Sequence, residues 1–456
     1  MKNINIRELV LEILIRVERQ ESYLNILMPY YFNQYMLNKK DKALIQEISY
    51  GVTRYRKKLD WVIDQFLEKQ DKKLSITIRN ILRIGVYQII HLSKIPDYAI
   101  CNESVELVKR SHEFKKSKLV NAVLRNIIRS PNDIVWPDID REPNKYISVF
   151  YSYPEFLVNK WVKRFGKEIC VKICQAGNEI PAITIRINPL KINIEDLKLK
   201  LKELKIEFKD SQYLNREALI VNGFPDIGSS QLWIDGFFSV QDESSMLAAK
   251  LLNPSPGETV IDTCSGPGGK TTHLAQMMCN QGDIIAFEKH KRRLNMVIDE
   301  CTRLGVKIVH PVLHDSSQLS QEYINKADKI IVDVPCSGTG VIRKKPDLKW
   351  RRMDNKWFKK INQDQKTILQ VASRYLKTGG EIVYSTCSLE KEENDEIIKS
   401  FLKINNEFVI QDTHDFIRNH HILQYNTEIE QAIQLIPGYS GNEIDGFYMV
   451  KMQKIK

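Results

Sequence analysis

The chain has 456 residues, 43% hydrophobic and 27% charged, with a net charge of +11. At roughly 100–200 residues per domain that length predicts two to four domains, and the composition is that of a soluble protein with a substantial core. No apolar run reaches the roughly 20 residues of a membrane span, and the opening residues, Met1 to Glu8, hold no apolar stretch, so neither a membrane helix nor a signal peptide is expected.

The eight cysteines are 101, 170, 174, 264, 279, 301, 336 and 387. None forms a Cys-x-x-Cys pair. Cys170 and Cys174 fit one helix face but lack His or Cys neighbours, so no metal site is expected. Scattered thiols fit a reducing, cytoplasmic setting. The charge is uneven: residues 1–135 hold 24 Lys and Arg against 15 Asp and Glu. Such a segment suits a polyanion partner or, equally, a solvated cationic face.

In chain order, Ile6, Leu9, Val10, Ile13, Leu14 and Val17 recur at helical steps. Similar patterns follow at 42–55, 59–68, 76–92, 99–111 and 116–129, with breaks at Asn38, 70–73, Pro96 and Pro131. Strand alternation is missing, so 1–135 reads as an all-α domain of five to seven helices. Pro131, Pro137 and Pro143 mark a linker. Residues 140–230 read as a small α+β module: helix from Phe156, strand 182–188, helix 194–204, and short strands near Phe208 and at 218–221.

From 231 the pattern changes. Residues 238–245 lead into a helix ending at Leu251. Strands at 259–263, 283–287, 307–313, 329–334 and 381–386 then alternate with helices at 270–278, 290–304, 357–376 and 392–403. That is an α/β domain over 231–456, a parallel sheet wrapped by helices, whose ligands bind at the carboxyl ends of the strands. The residues of chemical interest stand at such ends. The loop Cys264, Ser265, Gly266, Pro267, Gly268, Gly269, Lys270 follows the first strand. It fails the dinucleotide fingerprint, because position 271 is Thr, and the phosphate-loop pattern, because position 264 is Cys. Glu288 ends the next strand, where an acid takes ribose hydroxyls. Asp315 follows the third and suits an adenine amino group. Together they describe an adenosine-containing cofactor with no long phosphate site. Asp333 and Cys336 follow the fourth strand, and Cys387 follows the fifth.

Several stretches carry family resemblances. Residues 43–51 with Arg54, Leu82-Arg-Ile-Gly-Val-Tyr-Gln88 and Val120-Asn-Ala-Val-Leu-Arg125 resemble the NusB-type helical RNA-binding domain. Under that resemblance Arg16, Arg54, Arg56, Lys57, Lys58, Arg125 and Arg129 are candidate phosphate contacts, and Arg125 is equally a candidate structural partner. Residues 184–189 resemble the RRM-like domain that precedes the catalytic domain in RNA cytosine-5 methyltransferases. Arg186 there either touches RNA or holds a carboxylate of the next domain. Cys264–Lys270, Asp333-Val-Pro-Cys-Ser-Gly-Thr-Gly340 and Ser385-Thr-Cys-Ser388 resemble motifs I, IV and VI of the S-adenosylmethionine-dependent RNA cytosine-5 methyltransferases. The chain as a whole, through Gly446-Phe-Tyr-Met-Val450, is similar to the bacterial small-subunit ribosomal RNA methyltransferase B (Sun or Fmu) family. Motif I departs from the usual small pair at Ser265-Gly266.

That resemblance implies methylation of carbon 5 of a cytosine in 16S rRNA, cytosine 967 by family likeness, with S-adenosyl-L-methionine as cofactor and a cytoplasmic monomer as the enzyme. Carbon 5 of cytosine is a poor nucleophile until a thiolate adds to carbon 6 and nitrogen 3 is protonated. The residues alone do not order the two thiols. The resemblance implies Cys387 as nucleophile, Cys336 in adduct release, Asp333 as acid partner of the base and also a cofactor neighbour, and Lys270 as its orienting cation. Arg343, Lys344, Lys345, Lys349, Arg351 and Arg352 are further phosphate candidates or a solvated loop. The same reaction on tRNA or 23S rRNA, and a non-catalytic RNA-binding or antitermination factor, are the competing readings. The intact thiols and glycine loop argue against the last.

Overall fold

The computed structural model describes residues 5–68, 73–224, 227–441 and 444–456. Packing divides the chain into two units, Met1–Ile180 with Ile342–Arg351, and Pro181–Val341 with Arg352–Lys456.

In the first unit, seven α-helices precede residue 130 among the described residues: Ile6–Gln20, Leu24–Gln34, Lys39–Arg54, Arg56–Gln65, Ile76–His91, Asp97–Arg110 and Ser117–Arg129. Their apolar faces meet in one core around Leu9, Ile13, Ile48, Leu82, Val86 and Leu124. Side-chain caps fix three starts: Asn5 accepts from the Arg7 amide at 2.9 Å, Asn38 from the Asp41 amide at 2.9 Å and Ser75 from that of Ile78 at 3.2 Å. The Leu24–Gln34 helix is an addition to the sequence expectation, because Pro29 lies inside it and its apolar residues do not keep a single face. The break expected at 70–73 lies, apart from Lys73, outside the described residues. Helices Pro143–Phe150, Glu155–Phe165 and Lys167–Ala176 complete the run, with Tyr153 and Trp161 fully buried.

A short strap, Ile342–Arg351, also belongs to this unit. The Lys349 ammonium is fully buried. It donates to the carbonyls of Arg54 (3.1 Å) and Ser152 (3.2 Å) and to Oδ1 of Asn178 (2.7 Å), and it lies 3.7 Å from the Tyr153 ring centre. Trp350 donates to the Thr53 carbonyl at 2.6 Å, and Arg54 donates to that of Arg343 at 3.0 Å. Burial holds the Lys349 ammonium well below its ordinary range. Arg54, Arg343 and Lys349 are thus corrected from phosphate contacts to interior residues: each is buried, and Lys349 is spent on carbonyl and amide oxygens.

The second unit holds two sheets. Strands β1 (Ile183–Ile187), β2 (Glu207–Asp210), β3 (Ala218–Asn222) and β4 (Phe238–Val240) form an antiparallel sheet in the order β2-β3-β1-β4. Helix Ile194–Glu203 covers it through Leu197 and Leu201. β4 comes from a stretch that the sequence reading treats only as the approach to a helix.

The larger sheet contains β5 (Thr259–Asp262), β6 (Asp283–Glu288), β7 (Val309–Leu313), β8 (Ala327–Asp333), β9 (Leu376–Thr386), β10 (Phe408–Ile410), β11 (Ile433–Leu435) and β12 (Phe447–Lys454). Its order is β10-β12-β9-β8-β5-β6-β7, with β11 paired to β12. β5 to β9 are parallel, whereas β12 runs antiparallel to β9, with Tyr448 opposite Thr386. The centre of the sheet, Ile330–Val332 with Ile382–Tyr384, is apolar and buried because both faces are covered, whereas β7 at the edge is partly exposed. Val260, Ile331 and Val383 pack in one core, while Ile261, Ile330, Val332 and Tyr384 pack in the other. Among the described residues no helix is long and apolar enough to cross a membrane.

Candidate active site

The strand order reverses between β5 and β8, the place where such sheets bind ligands. The carboxyl end of β5 is Asp262, buried at 1% exposure. Its Oδ2 accepts from the Thr271 hydroxyl at 2.7 Å and its Oδ1 from the Cys264 amide at 3.2 Å, so it braces the glycine loop against the helix Gly269–Met277. Gly268 takes φ +110, and a Cβ there would lie 3.3 Å from Val297 Cα. Burial pushes the Cys264 thiol up to about 12, which makes it a poor nucleophile.

Glu288 ends β6, buried, and accepts from the His290 amide at 2.9 Å. Arg293 approaches it at 3.4 Å and also donates to the Gly266 carbonyl. Asp315, just past β7, accepts from the amide and hydroxyl of Ser317 (3.0 and 2.8 Å), and these bonds hold it below the usual carboxylate range. One cleft gathers Cys264, Glu288, Asp315, Pro335 and Ile368. Two acceptor carboxylates beside apolar walls fit a nucleoside, with donating hydroxyl and amino groups and a flat apolar base.

Asp333 ends β8. Its Oδ2 is 2.7 Å from the Lys270 ammonium, and its Oδ1 accepts from the Ser385 hydroxyl of β9 at 2.8 Å. The same ammonium lies 5.3 Å from the Phe447 ring centre. Past the strand ends, the sulfurs of Cys336 and Cys387 are 3.2 Å apart. Gly340 donates to the Cys387 carbonyl at 3.0 Å, and the Gly446 amide donates to the Gly340 carbonyl at 2.9 Å. Backbones this close require glycine: a Cβ on Gly340 would lie 2.1 Å from the Gly446 carbonyl oxygen. The hydrogen bond to Cys387, and then burial, push the Cys336 thiol well above its usual range.

The structure therefore brings Lys270, Asp333, Cys336 and Cys387 to one point and Cys264, Glu288 and Asp315 to an adjoining one. Arg186 does neither of the two things expected of it. It is buried and donates to the carbonyl of Gly269 (2.7 Å), to Gln276 (3.1 Å), to Thr272 (3.0 Å) and to Gln241. It clamps the first turn of the helix after the glycine loop, and burial lowers its guanidinium to about 9. Sequence reasoning missed the bracing role of Asp262 and the part of Arg293. The signal for Asp262 was its place at a strand end, and for Arg293 its place in the first turn of the helix after β6.

Residues 4–129 match the NusB family, 153–227 the ferredoxin-like domain of RsmF/B-like methyltransferases, and 249–453 the family described as 16S rRNA methyltransferase RsmB/F. The chain is 32% identical, over the whole of both chains, to the probable ribosomal RNA small subunit methyltransferase B of Bacillus subtilis. The chain belongs to the ribosomal RNA small subunit methyltransferase B family. Members are S-adenosylmethionine-dependent RNA methyltransferases, and this chain is an rRNA methyltransferase that uses that cofactor. Among solved structures, PH0851 superimposes with a TM-score of 0.81 at 25% identity, covering 99% of this chain and 100% of that one. NSun6 from Pyrococcus horikoshii, solved with SFG, gives 0.60 at 25% identity over 67% of this chain and 100% of that one. The helical, ferredoxin-like and Rossmann-like parts of the family architecture are those expected from the sequence.

Proposed function

We propose that this family member methylates carbon 5 of a cytosine in 16S rRNA, cytosine 967 by family likeness, through a transient bond between Cys387 and carbon 6. The observation that carries the reading is the 3.2 Å contact between Cys336 and Cys387 beside Asp333. Family likeness makes Cys387 the attacking sulfur, and its contact with Cys336 puts the thiol that assists adduct release within reach of the same carbon atoms.

S-adenosyl-L-methionine, when bound, supplies an electrophilic methyl group. The loop Cys264–Lys270, Glu288, Asp315 and Asp333 would hold it, Glu288 taking the ribose hydroxyls and Asp315 the adenine amino group. The Cys387 thiolate forms a bond to carbon 6, and the ring electrons move toward nitrogen 3, which takes a proton. Asp333 is the acid partner at that edge of the base, and the Lys270 ammonium, 2.7 Å from Asp333, orients it. After methylation Cys336 assists loss of the carbon 5 proton, the bond from sulfur to carbon 6 breaks, and Cys387 leaves with its electron pair. The cytosine has to be unstacked to reach these groups. Exposed cations of the first unit, Arg125 and Arg129 among them, hold the RNA backbone. The enzyme works as a cytoplasmic monomer on free rRNA or an assembling subunit.

Bisulfite sequencing of rRNA from cells with and without the gene tests reaction and target together. One 16S cytosine losing its protection is the expected result. Loss in tRNA or 23S rRNA would move the substrate, and no change would favour a non-catalytic RNA-binding factor. Cys387→Ala lowers methyl transfer from labelled cofactor by roughly 10³-fold or more; retained turnover would sink the nucleophile. Cys336→Ala accumulates a protein–RNA adduct visible on a denaturing gel, and a normal release rate contradicts its role.

A further inference from the structure

We propose that Glu393 is a positioning residue of the methyl transfer: its one carboxylate fastens the Cys336 loop to the Cys387 loop and so holds the two sulfurs at their working distance. This role rests on the thiol chemistry put forward above.

Glu393 closes the short turn Lys391–Glu393 that follows β9. It is fully buried. Its Oε2 accepts from the Ser337 amide at 2.8 Å and from the Gln365 side chain at 3.0 Å, and its Oε1 accepts from the Ser388 hydroxyl at 2.7 Å. Ser337 adjoins Cys336, and Ser388 adjoins Cys387. Gln365 also donates to the Pro335 carbonyl at 2.9 Å, so the residues on both sides of Cys336 are tied to the same anchor. The anchor is held in turn, because the Tyr384 hydroxyl donates to the Glu393 carbonyl at 2.7 Å. Neighbouring Asn394 accepts from Thr386 (2.6 Å) and donates to the Ser388 carbonyl (3.0 Å), which fixes the second loop from behind.

Burying a carboxylate is costly, and a packing role would be met by an apolar or amide side chain. Three converging donors require a group that accepts on both oxygens, which an amide does on one only. The charge also bears on the thiols: after the hydrogen bond to Cys387 and burial, the nearby Glu393 carboxylate adds to the upward push on the Cys336 thiol. Burial raises the carboxyl of Glu393 itself, with its donors opposing that shift.

The test uses the full chain with Glu393→Gln, which keeps the shape, and Glu393→Asp, which keeps the charge but not the reach. Labelled methyl transfer to rRNA gives kcat and both KM values, normalised to the folded fraction from circular dichroism. Both variants are expected to lose about 100-fold in kcat, the scale of a reacting group misplaced by about 1 Å, with KM for RNA and cofactor unchanged. A merely structural residue would lower the folded fraction and leave kcat per folded molecule intact, and that result overturns the assignment. Cys387→Ala run in parallel separates the two failures. If it turns over, the thiol reading falls; if it is inactive while Glu393→Gln is normal, only the role of Glu393 falls.

Discussion

Asp262 and Asp333 end neighbouring parallel strands, yet they serve opposite purposes. Asp262 is buried, and its oxygens are taken up by Thr271 and Cys264, both in the loop and helix it starts. The Asp333 side chain keeps 28% of its surface open, and its oxygens meet Lys270, from the helix after the glycine loop, and Ser385, from the end of β9. A carboxylate answered by its own loop gives that loop its shape. A carboxylate answered by separate segments draws them into one site. Residue type and sheet edge are the same in both cases, so the origin of the donors decides the role.

Substitution at each position tests this contrast. The largest effect is expected at Asp333→Asn, where losing a carboxylate at the base lowers kcat by about 10³-fold with little change in the thermal midpoint. A large fall in stability with kept turnover would make Asp333 another brace. Asp262→Asn is expected to do the reverse. An asparagine still accepts from the Cys264 amide and donates to the Thr271 hydroxyl, so turnover stays within about tenfold. The change appears in stability against pH. Burial lifts Asp262 to about 6, above an unfolded value of about 3.9. The native state therefore holds the proton more tightly, and stability falls as pH rises from about 4 to about 6, by on the order of 3 kcal/mol. Asp262→Asn removes that segment of slope in denaturant titrations across this range; an unchanged slope would contradict the buried charge.

The catalytic strands were legible because strand, loop and helix alternate within short stretches of chain, and the chemical residues stand at strand ends. Asp333, Cys336 and Cys387 could be named from that alone. What escaped was non-local. β12 pairs with β9 across a long stretch that includes helix Asp395–Ile404 and strands β10 and β11, so nothing near Phe447 announces an antiparallel partner. Lys349 and Arg186 look like surface cations in one dimension. Their partners, Arg54 and Gly269, are 295 and 83 residues away, and only the fold buries them. Glu393 sits in the run Glu390-Lys-Glu-Glu393, which reads as a solvated face, although the turn directs it inward.

The strap Ile342–Arg351 has a consequence for inheritance. The chain leaves the first unit after Ile180, returns at Ile342 and leaves again after Arg351. A gene fragment ending at codon 180 would encode helices whose Thr53, Arg54 and Ser152 carbonyls lack the donors that Trp350 and Lys349 provide. The first unit is therefore not a cassette that recombination can lift out by cutting once. Its last ten residues are encoded inside the stretch that encodes the second unit, so the coding segments of the two units interleave.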